Sequence, residues 1–266
     1  MTPFRQRIIG LVRFSYPARG GFAREFATDE EARAFLFEEG RLGRRMALWE
    51  AMCLPGLAAQ TDRGFTLLVL TGQSLPDWAK ERLREGLARL PDARLVAMGP
   101  KPHYAAIKAA FGEVAAEGET HRVTFRLDDD DALAKDYVET LRRRARRVAR
   151  VGGWERPVVL AFNRGLYVDT ASRRIFDATE RLPLSVGTAM VAPSGHDDNV
   201  YARNHRLLPE FYDTWQEATT PMWIRTVHGD NDSEPTVVGR TGLLDSAGID
   251  AALGRFARGR AALEAL

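Results

Sequence analysis

The chain has 266 residues, 45% of them hydrophobic, and its 38 Lys and Arg nearly balance 36 Asp and Glu to leave a formal charge of +2. This supplies apolar material for one sizeable core and excludes a disordered polyelectrolyte or a globally basic nucleic-acid binder. A single cysteine, Cys53 in "WEAMCLP", excludes a disulfide framework and a multi-cysteine metal site, reads as a buried helix residue, and fits a reducing cytoplasm.

In chain order, "MTPFRQRIIGLVRFSYP" has an apolar stretch broken by Arg13 and no cleavage pattern, so no export signal is expected. A strand is expected over 7–15, then a long helical segment over 29–57 interrupted at Pro55 and Gly56. The run "FTLLVL" is the next strand; like "RPVVLAF" it is too short to cross a bilayer. Pro76 and Asp77 start a helix over 75–90 whose Trp78, Leu83, Leu87 and Leu90 are read as one apolar face. A strand over 93–99, a helix over 103–118 ended by Gly118, and a strand "HRVTFRLD" over 121–128 follow. This alternation predicts an α/β fold with a mostly parallel sheet and helices on both faces, which binds ligands at the carboxyl ends of its strands.

A helix is expected over 132–150. Its "LRRRARRVAR" reads as a solvated face whose cations favour the helix C-terminus, without the interleaved aromatics of a nucleic-acid binder. After Gly152 and Gly153, "PVVLAFNRGLYVDTASRRIFDAT" reads as antiparallel hairpins turning at "NRG" and "TASRR". "TAMVAPS", "MWIRTVHG" and "EPTVVGR" are further short strands, and an amphipathic helix from Asp245 or Ser246 closes the chain. One domain is expected over 1–266, with a first half (1–131), a second half (132–242) that completes the site opened by the first, and a C-terminal helix (243–266).

The four aspartates of "RLDDDDAL", Asp128 to Asp131, stand at the end of the fourth strand. Adjacent carboxylates repel and raise one another's pKa, so such a cluster calls for a cation. Mg²⁺ and Mn²⁺ take oxygen ligands, usually one or two carboxylates completed by phosphates and water. The pairs Asp128/Asp130 and Asp129/Asp131 both have Asp-x-Asp spacing, and the sequence leaves the choice open. The competing reading is a helix N-cap, which accounts for one or two of the aspartates. No EF-hand, Walker loop or dinucleotide glycine motif is present.

The segments "GLVRFS", "LPGLAAQTDRGFTLLVLTGQSLP", "FRLDDDDAL" and "PMWIRTVHGDN" together resemble the bacterial rhamnosyltransferase family of GT-A-type glycosyltransferases, over roughly Ile8 to Asn231. The resemblance implies a Rossmann-like, GT-A-like domain. It implies a nucleotide-sugar donor (dTDP-, UDP- or GDP-linked), with dTDP-rhamnose expected from the family's name, and Mn²⁺ or Mg²⁺ between the carboxylates and the diphosphate. Carried onto this sequence, it points to Asp130, Asp128 and the late His228 as metal ligands, with His205 as runner-up. Arg13, Phe14 and Ser15 at the end of the first strand, with Asp128, Asp129 and Arg126, would meet the donor. Arg126 also reads as a charge partner of the aspartates. Asp198 in "SGHDDN" is the candidate base for the acceptor hydroxyl, ahead of Glu210 and Asp213; Trp215 and Trp223 are candidate sugar platforms.

The expected acceptor is a glycan or lipid-linked polymer, in the cytoplasm, with no nucleic acid; a peripheral membrane contact is compatible with that. A nucleotidyltransferase with an acidic metal site, or a non-catalytic module that binds anionic ligands, are the alternatives.

Overall fold

The computed structural model describes residues 3–20, 24–152, 155–229, 239–242 and 244–266. Strand β1 (Gln6–Arg13) leads through α1 (Asp29–Leu36), α2 (Glu39–Leu48), a π-helical turn (Trp49–Cys53) and α3 (Leu54–Ala58) to β2 (Thr66–Gly72). Helix α4 (Asp77–Leu87), β3 (Ala93–Met98), α5 (His103–Gly112) and β4 (His121–Asp128) complete the first half. These four strands pair in parallel in the order β3-β2-β1-β4. Both faces are covered, which is why the strands read as continuous apolar runs. Val12, Val69, Phe125 and Leu127 face one core layer, which α2, α4 and α6 (Tyr137–Gly152) close, and Ile9, Leu11, Leu68 and Leu70 face the other, closed by α5.

Gly10 stands opposite Phe125 in the β1–β4 register, and a Cβ there would lie 2.2 Å from the Phe125 ring. No flexible chain end can yield, so Gly10→Ala is expected to destabilise the protein by about 1–3 kcal/mol or more, as overpacking of a filled core does. Thermal denaturation checks this.

The sheet continues past β4 with antiparallel β9 (Ala189–Pro193), then β6 (Val158–Phe162) and β10 (Asp213–Glu217), seven strands among the described residues. A second sheet has the order β12-β8-β7-β11-β5. Its strands are β5 (Ala132–Leu133), β7 (Arg164–Asp169), β8 (Arg174–Thr179), β11 (Trp223–Val227) and β12 (Arg240–Thr241). The expected mostly parallel sheet with helices on both faces, and antiparallel strands in the second half, is therefore what the chain builds.

Several local expectations need correction. Residues 132–133 form β5 rather than the start of a helix, and α6 begins at Tyr137, so the aspartates do not cap it. The "NRG" segment is not a hairpin turn: β6 belongs to the first sheet and β7 to the second, and Asn163 is the crossing point. Trp78 is 40% exposed because the buried stripe of α4 runs through Ala79, Leu83 and Leu87. The C-terminal helix is two, α7 (Ser246–Leu253) and α8 (Arg260–Leu263), parted by a segment ending at Gly259. In "EPTVVGR", residues 234–238 lie outside the described residues. Among the described residues no helix is long and apolar enough to cross a membrane.

Candidate functional site

The four aspartates form the link between the sheets: β4 ends at Asp128 in the first, and β5 begins at Ala132 in the second. Asp129, Asp130 and Asp131 are each no more than 3% exposed. Burying three carboxylates is costly unless each finds a cation or donors. Arg45 of α2 supplies most of that compensation. Its guanidinium grips both oxygens of Asp129 through Nη2 and Nε, while its Nη1 donates to Asp130 Oδ2 at 2.9 Å. Asp131 Oδ1 accepts the Thr226 backbone N–H at 3.0 Å, and Thr226 Oγ1 donates to the Asp130 carbonyl at 2.9 Å.

The last donor is His228, just past β11, whose Nε2 lies 2.9 Å from the same Asp130 Oδ2. Strand β11 pairs antiparallel with β5, Ile224 opposite Ala132, and this register carries His228 back to an aspartate 98 residues earlier. Burial pushes the Asp130 carboxyl up, but Arg45 and then His228 outweigh it and hold it below the usual carboxylate range. Asp131 goes the other way, raised by burial and then by the charge of Asp130.

The two Asp-x-Asp pairs are therefore unequal. Asp129 and Asp131 spend their oxygens on Arg45 and Thr226, so Asp129 does not face a ligand as the sequence led us to expect. Asp128 remains accessible, its side chain 26% exposed and 3.7 Å from Arg13 Nη2. Among the described residues no three His, Cys, Asp or Glu side chains converge into a metal cage. The donor set still fits a hard divalent ion: Asp130 Oδ2 and His228 Nε2 have the roughly 2.9 Å spacing of adjacent ligands in an octahedron with 2.0–2.1 Å bonds, and Mg²⁺ habitually fills its other positions with water and phosphate.

On the other face of β4, Arg126 is 6% exposed and its Nε has no hydrogen-bond partner. Its guanidinium lies 4.5 Å from the ring centroid of Tyr201, whose hydroxyl donates to the Leu11 carbonyl at 2.8 Å. Arg126 feels the charge of Asp128, as expected of a charge partner, while Arg45 makes the hydrogen bonds to Asp129 and Asp130 from the opposite face. Arg13 Nη1 lies 2.8 Å from His103 Nε2. Burial, then Arg13 and Arg126, push His103 down to about 3. His205 is lowered by burial and then by Arg126, Arg206, Arg225 and Arg13, so it stands among arginines and not with Asp130. Both imidazoles are neutral near pH 7, and the arginines around Arg126 form a cationic cluster beside the acidic one.

Phe14 is fully buried against Trp49 in the core, so its side chain is not available to a donor. Ser15 has φ 44, in the left-handed region, and a buried hydroxyl without a partner. Such strain in a non-glycine residue recurs at ligand sites, and it keeps Ser15 a candidate at the strand end. Asp198 is not brought to the aspartates. Because β9 runs antiparallel to β4, with Pro193 opposite His121, the chain leaves β9 at the amino edge of the sheet and returns along its face, where the Val200 N–H donates to Thr124 Oγ1. There Asp198 accepts from the Tyr212 hydroxyl at 2.8 Å, and its neighbour Asp197 pairs with Lys108 of α5. Trp223 is buried under Gly165, while Trp215 is 47% exposed on β10.

Arg45 and Tyr201 escaped the sequence reading. Arg45 had left a signal: it falls within the spacing of Leu42, Met46 and Trp49, and a charge inside a buried helical stripe needs a buried counter-charge.

No curated protein matches the chain. Similar solved structures include S. aureus TarS 1-349 in complex with UDP, at 10% identity and TM-score 0.46, covering 83% of this chain and 60% of that one. Another is S. aureus TarS, at 10% identity and TM-score 0.44, covering 84% of this chain and 37% of that one. The chain thus spans less than two thirds of the solved chains it matches. Residues 7–240 match the family described as "Putative rhamnosyl transferase", and the chain belongs to that family.

Proposed function

We propose that the chain is a glycosyltransferase that moves a sugar, rhamnose by the family's description, from a nucleotide-sugar donor to a glycan or lipid-linked acceptor in the cytoplasm. The observation that carries this reading is the meeting of Asp130 and His228 at the carboxyl edge of a parallel sheet, where such folds take nucleotides. In this reading Asp130 and His228 hold Mn²⁺ or Mg²⁺, and Asp128 stands ready beside them. The ion, when bound, supplies Lewis-acid stabilisation to the departing diphosphate.

The chain's own part is positioning and charge. Arg45 keeps Asp130 ionised and holds Asp129 and Asp130 fixed before a donor arrives. Arg126 is buried with its Nε unbonded and with the charge of Asp128 and the Tyr201 ring as partial compensation, a costly state that a donor phosphate relieves, and Arg13 and Ser15 line the same strand ends.

The test is thermal stability with UDP, GDP, CMP and dTDP, each with and without Mn²⁺, because a ligand that binds only the folded state raises the melting temperature. A rise that needs one nucleotide and the metal together is expected, and it names the donor's nucleotide; no rise with any pair would sink the reading. Arg126→Met is expected to weaken that nucleotide about 10- to 100-fold, the loss typical of a charged hydrogen bond. Calorimetric titration measures it.

A further inference from the structure

Helix α6 carries a surface that the site does not use. Arg143, Arg146, Arg147 and Arg150 are all exposed, and their spacing of three, one and three residues puts them on one face. The acids beside the helix are taken by its flanks: Arg142 pairs with Asp62 at 2.5 Å and Arg144 with Glu217 at 2.7 Å. Among the described residues none of the four exposed arginines has a carboxylate partner; Arg143 donates to Thr140 Oγ1 at 3.1 Å. Glu139 is engaged with Thr61 at the far end of the helix, and Glu155, just past α6, subtracts one charge.

Two exposed apolar groups border this row. Val151, next to Arg150, is 79% exposed. Trp215, 47% exposed, is two residues from Glu217 on β10 and so shares its face, the one on which Glu217 meets Arg144 of α6. The edge strand thus sets an indole alongside the arginine helix.

We infer that this face docks on an anionic phospholipid surface. Four uncompensated arginines along a helix lying flat on its sheet match a planar negative surface, each basic group adding to the attraction. Exposed Trp and Val beside them suit the boundary between headgroups and acyl chains, and the arginine stems can follow. A nucleic acid is the less suited partner, because no aromatics interleave with the arginines to stack on bases. Helix α6 runs antiparallel to the strands it covers, so docking lays the strands along the bilayer and opens the aspartate edge sideways, within reach of an acceptor held in the membrane.

The experiment is co-sedimentation of the whole chain with phosphatidylglycerol–phosphatidylcholine vesicles and with phosphatidylcholine vesicles alone, at low and high salt. Binding only to the anionic vesicles, weakened by salt, is expected. The variant R143Q/R146Q/R147Q/R150Q should lose at least about tenfold in binding while keeping its melting temperature and its nucleotide response. Trp215→Phe should reduce the vesicle-induced blue shift of tryptophan fluorescence. Equal binding to both vesicle types, undiminished binding of the quadruple variant, or tighter binding to an oligonucleotide than to anionic vesicles would overturn the inference. Because the readout is vesicle binding and not sugar transfer, its failure would leave the glycosyltransferase reading standing.

Discussion

Asp130→Asn is expected to abolish the metal-dependent rise in melting temperature with nucleotide while leaving a folded protein. Asp130 Oδ2 is where Arg45 and His228 converge, and the amide keeps the shape and one accepting oxygen there but removes the charge that a hard cation requires. Arg45 retains both oxygens of Asp129, so no cation is stranded. The stability cost should be about 1–3 kcal/mol, that of weakening buried hydrogen bonds. Alanine at the same place would leave the Arg45 and His228 donors facing a void and should cost more. If Asp130→Asn keeps the wild-type response to Mn²⁺ and nucleotide, the metal does not sit at Asp130.

Arg45→Met is expected to destabilise the protein by about 3–5 kcal/mol, because removing one partner of a buried ion pair leaves the other uncompensated. Here it strands more than one charge, since the same guanidinium serves Asp129 and Asp130. A second consequence separates this from ordinary loss of packing. With the resident cation gone, a divalent ion is the remaining counter-charge, so Mn²⁺ without nucleotide should raise the melting temperature more in the variant than in the wild type. Denaturation with and without Mn²⁺ measures both effects. A variant as stable as the wild type would show that the aspartates are compensated elsewhere.

The parallel half was legible because each signal was local. "HRVTFRLD" reads as a strand from its own residues and matches β4 to the residue, and the turn residues before α4 marked its start. The meeting of Asp130 with His228 was legible only through family resemblance, since no periodicity ties residues 98 apart. What failed was information carried by pairing. Ala132 and Leu133 form a strand only because β11 lies beside them, and "NRG" looks like a hairpin turn unless one knows that the chain changes sheets there. The path of the chain after β9 was hidden for the same reason: a strand delivers the next loop to the ligand edge only if it runs with β4, and β9 runs against it.

That the aspartates join the two sheets has a consequence for how the protein reaches its native state. The acidic loop emerges with the first half of the chain, but its imidazole partner arrives 98 residues later. Bringing those two points together costs roughly 4 kcal/mol of loop-closure entropy, recovered only when β11 settles against β5 and β7. Until then the cations beside the carboxylates come from the first half of the chain, Arg45 at Asp129 and Asp130 and Arg13 at Asp128. Nascent chains should therefore pass through a stage with a formed parallel sheet and an incomplete acidic centre, and docking of β11 should be among the slow steps of folding.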